Sequence, residues 1–222
     1  MALFPHDIKN LIAGPIRVLY APIATVLPTG LDDIFAPVDP YAPLSGWKDI
    51  GATTDESEYS LDMESEGYEI QQTTAIVAEK ITQTTRQLTV PMAEFTAELT
   101  KLAEEAKEIT TIAAASGSSA QDAVDVGGIE SLTRYRLAFV AMRDKGFGNL
   151  VTEPGAGSVQ RGAFVGFCAY SAAIAPEEQA ISIDRENLSA REVTFGFFPD
   201  GAVTDPRKAV GRWFFEKSGV IA

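Results

Sequence analysis

One stretch of this sequence repeats its apolar residues at the spacing of a helix, whereas the other apolar runs are typical of strands. The helical stripe consists of Phe95, Leu99, Leu102, Ala106, Ile109 and Ala113. It predicts one helix of about five turns over residues 94–114. Runs bounded by turn residues predict strands over 134–142, 162–171, 180–184 and 191–198. Because helices do not alternate with strands, we expect a mainly β fold, a β-sandwich or barrel-forming sheet with one flanking α-helix.

Residues 68–95 predict strands that are wet on one face. Leu88 and Val90 alternate with Gln87 and Thr89. The residues before them in this range are rich in Thr and Gln and carry few charges. Such alternation is typical of a sheet with one packed and one solvated side.

The first 45 residues predict an extended N-terminal arm. Seven of the twelve prolines lie there, at positions 5, 15, 22, 28, 37, 40 and 43. Proline fixes φ and removes a hydrogen-bond donor, so we expect one strand at most, over residues 16–20. The arm is too apolar to remain in water, and two alternatives stay open: it packs on its own domain, residues 46–222, or on a neighbouring subunit.

An acidic stretch follows the arm. Residues 55–69 carry seven carboxylates and no Lys or Arg. We expect residues 51–68 to form a long acidic loop or hairpin, with solvation as its simplest role. Calcium binding has weak support, because the stretch lacks the Asp-rich framework of a calcium loop.

The composition argues against several classes of function. A net charge of −13 disfavours nucleic acid as a bound ligand. His6 and Cys168 are the only residues of their types, which leaves no Cys/His metal site, disulfide framework or nucleophile with a base. The loop at 155–162 lacks the Gly-Lys-Ser/Thr ending of a phosphate loop. We therefore expect no enzyme and no cofactor. The apolar stretch over residues 11–27 is interrupted by Pro15, Arg17 and Pro22, so we also expect no signal peptide and no membrane span.

Several segments carry a resemblance to a known family. After the proline-rich start come the motif GWKDIG at 46–51, an acidic turn that contains Tyr, and the run GYEIQQTTAIVAEKITQTTRQLTVPMAEF at 67–95. In this order they resemble the major tail tube proteins of long-tailed, siphovirus-like bacteriophages, particularly those of actinobacterial hosts. The segments RYRLAFVAMRD at 134–144 and REVTFGFFPDGAV at 191–203 extend the resemblance more loosely over most of the chain.

The resemblance implies a structural virion protein that self-assembles into stacked hexameric rings. Its partners would be further copies of itself, the tape measure protein that the tube encloses, and the tail terminator and distal tail proteins. DNA would be transient cargo in an acidic lumen, which agrees with the charge of this chain. The protein would assemble in the host cytoplasm and reside in the virion tail, which the resemblance favours as non-contractile.

The residues that we expect at subunit or ring contacts come from the acidic stretch and its surroundings. They are Trp47, Asp55, Glu56, Glu58, Asp62, Glu64, Glu66, Arg86 and Arg161. Trp47 would anchor the base of the loop, with a place in the core as its equal alternative, and the arginines would be basic partners of the acids. The competing function from another class is a β-sandwich module that binds calcium or carbohydrate at the acidic stretch.

Overall fold

The computed structural model describes residues 12–36, 39–44, 46–53, 57–70, 73–115, 117, 119–129, 131–143, 164–175, 181–182 and 190–215. The strands are β1 (Ile12–Pro22), β2 (Phe35–Ala36), β3 (Asp39–Pro43), β4 (Lys48–Asp49), β5 (Glu58–Ile70), β6 (Thr73–Met92), β7 (Ile109–Ile112), β8 (Gln121–Val124), β9 (Tyr135–Arg143), β10 (Phe164–Ile174), β11 (Ile181–Ser182), β12 (Ala190–Phe198) and β13 (Gly211–Phe215). One α-helix, α1 (Ala97–Ala103), and two short 3-10 helices, Leu31–Asp33 and Pro206–Lys208, complete the described elements. The mainly β class with a single α-helix is confirmed.

The chain divides into two compact units. The first contains Met1–Gly51, Arg134–Ala172 and Phe198–Ala222, and the second contains Ala52–Thr133 and Ala173–Phe197. Each unit is therefore built from segments that are distant in the sequence, where we had expected an arm and one domain.

The first unit is an antiparallel sheet in which β1 lies between β4 and β9, β9 pairs with β10, and β10 pairs with β13. Residues 18–21 of β1 are buried, so the segment predicted as an arm packs on its own chain over these residues. The strand predicted over 16–20 extends over Ile12–Pro22, and the same segment also contains β2 and β3. Pro22 lies at the end of β1, where its missing N–H costs no interior pairing.

Val18, Leu137 and Phe167 are buried on one face of this sheet, and a larger cluster of buried residues lies on the other face. Its buried members are Leu19, Ala21, Leu31, Ile34, Phe35, Trp47, Ala138, Val140, Cys168 and Tyr170. Arg136 is also buried, and its charge is met by Asp200, whose Oδ2 lies 3.0 Å from Nη1. The buried polar group is thus paired, as a low-dielectric interior requires.

The second unit is organised around β6. This strand pairs with β5 along most of its length and with β12 over residues 87–92, and β11 flanks β12. Leu88, Val90 and Met92 are buried, which matches the alternation seen in the sequence. Strands β7 and β8 form a separate hairpin that contacts α1.

The predicted helix over 94–114 was too long. Helix α1 covers seven residues and ends in a Schellman motif: the N–H of Ala106 donates to Lys101 O at 3.0 Å, and the N–H of Glu105 donates to Leu102 O at 3.3 Å. Glu105 adopts the left-handed conformation, with φ of 52°. That position usually holds Gly, so the sequence carried no stop signal there, and Ile109–Ile112 forms β7 instead.

Candidate assembly surface

The acidic stretch lies in a long β-hairpin made of β5 and β6. The two strands pair in antiparallel register from Glu58 opposite Thr89 to Ile70 opposite Thr73. Strand β12 covers β6 only as far as the pair Gly196–Gln87. Among the described residues, the part of β6 from residue 73 to residue 86 therefore continues as a two-stranded ribbon for about 45 Å. Of the loop or hairpin expected over 51–68, the structure contains a hairpin, whose first strand begins at Glu58.

One face of this ribbon is acidic. Side chains alternate along a strand, so Glu58, Asp62, Glu64 and Glu66 share a face, and all four are exposed. Directly opposite residues lie on the same face. The cross-strand neighbours of these acids are Thr89, Thr85, Gln83 and Lys80. The acidic face thus carries four carboxylates and one lysine among these residues.

The other face of the ribbon is apolar. Near its base Tyr59 packs on Phe197, with ring centroids 6.2 Å apart. Beyond that contact Leu61, Met63 and Ile81 are 45%, 57% and 59% exposed. Arg86, opposite Leu61, also lies on this face and is half-buried.

A β-bulge at Thr82 keeps the two faces separate. Gln83 lies opposite Glu64, yet Ile81 lies opposite the next residue, Ser65. The Thr82 hydroxyl donates to the Glu64 carbonyl oxygen at 3.2 Å. Regular pairing without the bulge would place Thr82 opposite Ser65 and turn Ile81 onto the acidic face. The bulge therefore maintains the ribbon's amphipathic character.

The structure divides the predicted contact residues into three groups. Glu58, Asp62, Glu64 and Glu66 are brought together on the acidic face, whereas Arg86 lies on the opposite face and is not their partner within the hairpin. Trp47 is 5% exposed and belongs to the core of the first unit, so it offers almost no surface to another subunit. Asp55, Glu56 and Arg161 lie outside the described residues.

The apolar face of the ribbon was not predicted from the sequence. Tyr59, Leu61 and Met63 alternate with acidic and polar residues, which is the period of a strand. The seven carboxylates of residues 55–69 obscure this alternation. The side of Ile81 could not be deduced from the sequence, because it depends on the bulge.

The acidic face is a ladder of carboxylates and not a cage. Alternate residues on a strand lie about 7 Å apart, so their carboxylates spread along the surface, whereas a calcium site needs six or more converging oxygens. Among the described residues no three His, Cys, Asp or Glu side chains are grouped to hold a metal ion. Nor does the described part of the chain contain a helix long and apolar enough to cross a membrane.

Cys168 has the environment of an inert core thiol. It is fully buried, and burial raises its pKa to about 12. The thiolate is therefore scarce at neutral pH, and the side chain packs as a small hydrophobe.

Comparison with known proteins adds no family to these observations. The sequence matches no protein-family model and no curated protein. The resemblance to tail tube proteins accordingly rests on the residues quoted above, and the fold and the amphipathic ribbon are established from this chain alone.

Proposed function

We propose that this protein is a structural subunit that assembles with copies of itself into the stacked rings of a bacteriophage tail tube. The observation that carries the proposal is the β5–β6 ribbon, which has one acidic face, one exposed apolar face and little cover from the described residues of its unit. A two-stranded hairpin is at best marginally stable alone in water, and three or more strands or a packing partner are needed to hold it. Association with further copies would supply additional strands and a packing partner for the hairpin.

The apolar face supports association directly. Leu61, Met63 and Ile81 expose large side chains along one side of the ribbon. Exposed apolar patches mark contact sites in soluble proteins. Covering it with a neighbouring subunit removes that surface from water, and the free energy gained scales with the buried area.

The acidic face suits the inner wall of a tube. Carboxylates on a wall repel DNA phosphates, so a passing genome does not adhere through the many cationic contacts that give strong, salt-dependent binding. The Thr and Gln side chains beside the acids keep that wall polar without adding positive charge. The tape measure protein would occupy the same lumen during assembly, and tail terminator and distal tail proteins would cap the tube.

The test is negative-stain electron microscopy and sedimentation of the purified full-length protein over a range of protein concentration and salt. We expect rings or tubes with a central hole. The variant Met63→Glu places a charge on the apolar face and should abolish them. Val26→Glu is the matched control, because Val26 is 85% exposed and lies outside the ribbon.

Other outcomes would contradict the proposal. A compact monomer under every condition would argue against a tube subunit, and a monomer stabilised by calcium or an oligosaccharide would favour a binding module. Equal loss of assembly in Met63→Glu and Val26→Glu would show that the ribbon has no special part in it.

A further inference from the structure

Residues 104–114, which follow α1, carry two conflicting structural signals. The apolar stripe of α1 continues through them at helical spacing, with the members Leu99, Leu102, Ala106, Ile109 and Ala113. Their first five residues, Glu-Glu-Ala-Lys-Glu, are also favourable in a helix, whereas the run Ile-Thr-Thr-Ile at 109–112 is β-branched throughout and favours a strand. A conflict of this kind brings two conformations of one segment close in free energy.

The residue that ends α1 is held in an unfavourable conformation. Glu105 has φ of 52°, which is strained for a residue other than Gly. Its Oε2 accepts from the N–H of Thr133 at 2.9 Å, but its Oε1 is buried without a hydrogen-bond partner among the described residues. A buried oxygen without a partner is destabilising as well. Backbone strain of this kind is concentrated at functional sites and at segments that change conformation.

The hairpin that follows Glu105 has little support. Strands β7 and β8 pair over four residues in a sheet of their own, and the hairpin contacts α1. Ile112 is 52% exposed, and Ala113 is exposed too. A two-stranded hairpin is marginally stable in water. A helix over 104–114 would instead add about three turns to α1 and would place Ile109 and Ala113 in line with its buried stripe.

We propose that residues 104–114 are a conformational switch, which contributes the first strand of the β7–β8 hairpin in the free subunit and continues α1 in the assembled one. This inference rests on the proposed function and specifies how assembly is controlled. A helix is stabilised chiefly by packing of its apolar face, so the helical state needs a surface that covers Ile109 and Ala113. A neighbouring copy supplies that surface, and the hairpin is the preferred state without it.

A reversible disulfide across the hairpin tests the switch in the full-length protein. The Thr111 hydroxyl donates to the Asp122 carboxylate at 2.8 Å across the β7–β8 pair. Thr111→Cys/Asp122→Cys therefore places two thiols next to each other, and Cys168 is buried and does not compete with them. Oxidation fixes the hairpin, and reduction releases it in the same molecules. In sedimentation we expect the reduced protein to assemble and the oxidised protein to remain monomeric, and circular dichroism should show a gain of helix only in the reduced protein.

Two variants of Glu105 test the switch without a disulfide. Glu105→Gly relieves the left-handed strain and favours the hairpin, whereas Glu105→Ala favours the helix. Both lose the contact with Thr133, so their difference isolates the backbone preference. We expect Glu105→Ala to associate several-fold more strongly than Glu105→Gly and to contain more helix. The control pair Asp125→Ala and Asp125→Gly changes an exposed residue outside the segment and should associate equally.

The outcomes separate the switch from the proposed function. Equal association of the oxidised and reduced protein, or association of Glu105→Gly that matches or exceeds that of Glu105→Ala, would overturn the switch and leave self-assembly intact. Absence of oligomers of the unmodified protein at every concentration would overturn both.

Discussion

Arg136 connects three parts of the first unit through its guanidinium group. Nη1 donates to the Tyr170 carbonyl at 2.8 Å and to the Asp200 carboxylate, while Nε donates to the Thr25 carbonyl. Asp200 also accepts from the N–H of Ala202 at 2.9 Å. That backbone hydrogen bond and the pairing with Arg136 hold the pKa of Asp200 below its usual value of 3.8.

Replacing Asp200 by Asn should lower the free energy of unfolding by about 2 kcal/mol, because a buried cation loses its counter-charge. A lowered carboxyl pKa stabilises the fold above the unfolded value near 3.8, and the stabilisation disappears as the pH falls through the folded pKa. The difference between wild type and Asp200→Asn should therefore be full at pH 7 and should shrink below pH 3.8. Urea denaturation across pH measures it, with exposed Asp125→Asn as the control. A difference that does not change with pH would contradict the assignment.

Gly211 is required by a close approach between β13 and β10. A Cβ built there would lie 2.5 Å from the Cys168 carbonyl oxygen and 2.6 Å from Phe167 Cζ. Gly211→Ala should cost about 2 kcal/mol, because the backbone oxygen cannot move without disturbing the sheet. Gly201→Ala is the matched control, since nothing lies within 4 Å of its Cβ. Equal melting temperatures for the two variants would show that the space between β13 and β10 at Gly211 can accommodate a Cβ.

At the scale of elements, α1 depends on its N-cap more than a longer helix would. The Thr96 hydroxyl accepts from the N–H of Leu99 at 3.2 Å, and the helix has only seven residues. Thr96→Ala should reduce the free energy of unfolding by about 1 kcal/mol. Thr96→Ser keeps the acceptor and should retain most of the stability. Chemical denaturation of the three proteins checks the order, and a Thr96→Ser variant as unstable as Thr96→Ala would exclude capping as the cause.

Sequence patterns predicted several strands correctly but missed the end of the helix. Strands β9, β10 and β12 were predicted because their apolar runs end at turn residues. The end of α1 was missed because Glu105 occupies the left-handed position where Gly is usual. The acids of β5 were identified, and their common face follows from the alternation along a strand, but the side of Ile81 follows from the bulge at Thr82.

Partners distant in the sequence lie beyond local patterns altogether. Strands β6 and β12 meet so that the hydroxyls of Thr89 and Thr194, 105 residues apart, lie 3.1 Å from each other. Alternation tells which residues of each strand share a face, but the choice of neighbouring strand is set by the packing of the whole unit. The length of β6 that β12 leaves uncovered could for this reason not be predicted from the sequence.

At the scale of the whole molecule, charge should regulate association. Each copy has a net charge of −13, and the acidic face of its ribbon carries four carboxylates against one lysine. In the proposed tube these faces line a common lumen, where like charges approach one another. Salt shortens the Debye length from about 10 Å at 0.1 M to about 3 Å at 1 M. Association should therefore strengthen as salt increases.

The double variant Asp62→Asn/Glu64→Gln tests whether the acidic face causes this dependence. Its cross-strand neighbours Thr85 and Gln83 are uncharged, so the substitutions remove repulsion without breaking an ion pair of the hairpin. Sedimentation should show stronger association than wild type at low salt and a shallower rise with salt. The control Asp125→Asn/Glu192→Gln removes two exposed charges outside the ribbon. Weaker association of the Asp62/Glu64 variant would mean that the carboxylates bind cationic groups of a neighbour, and the acidic face would then be a contact surface and not a lumen wall.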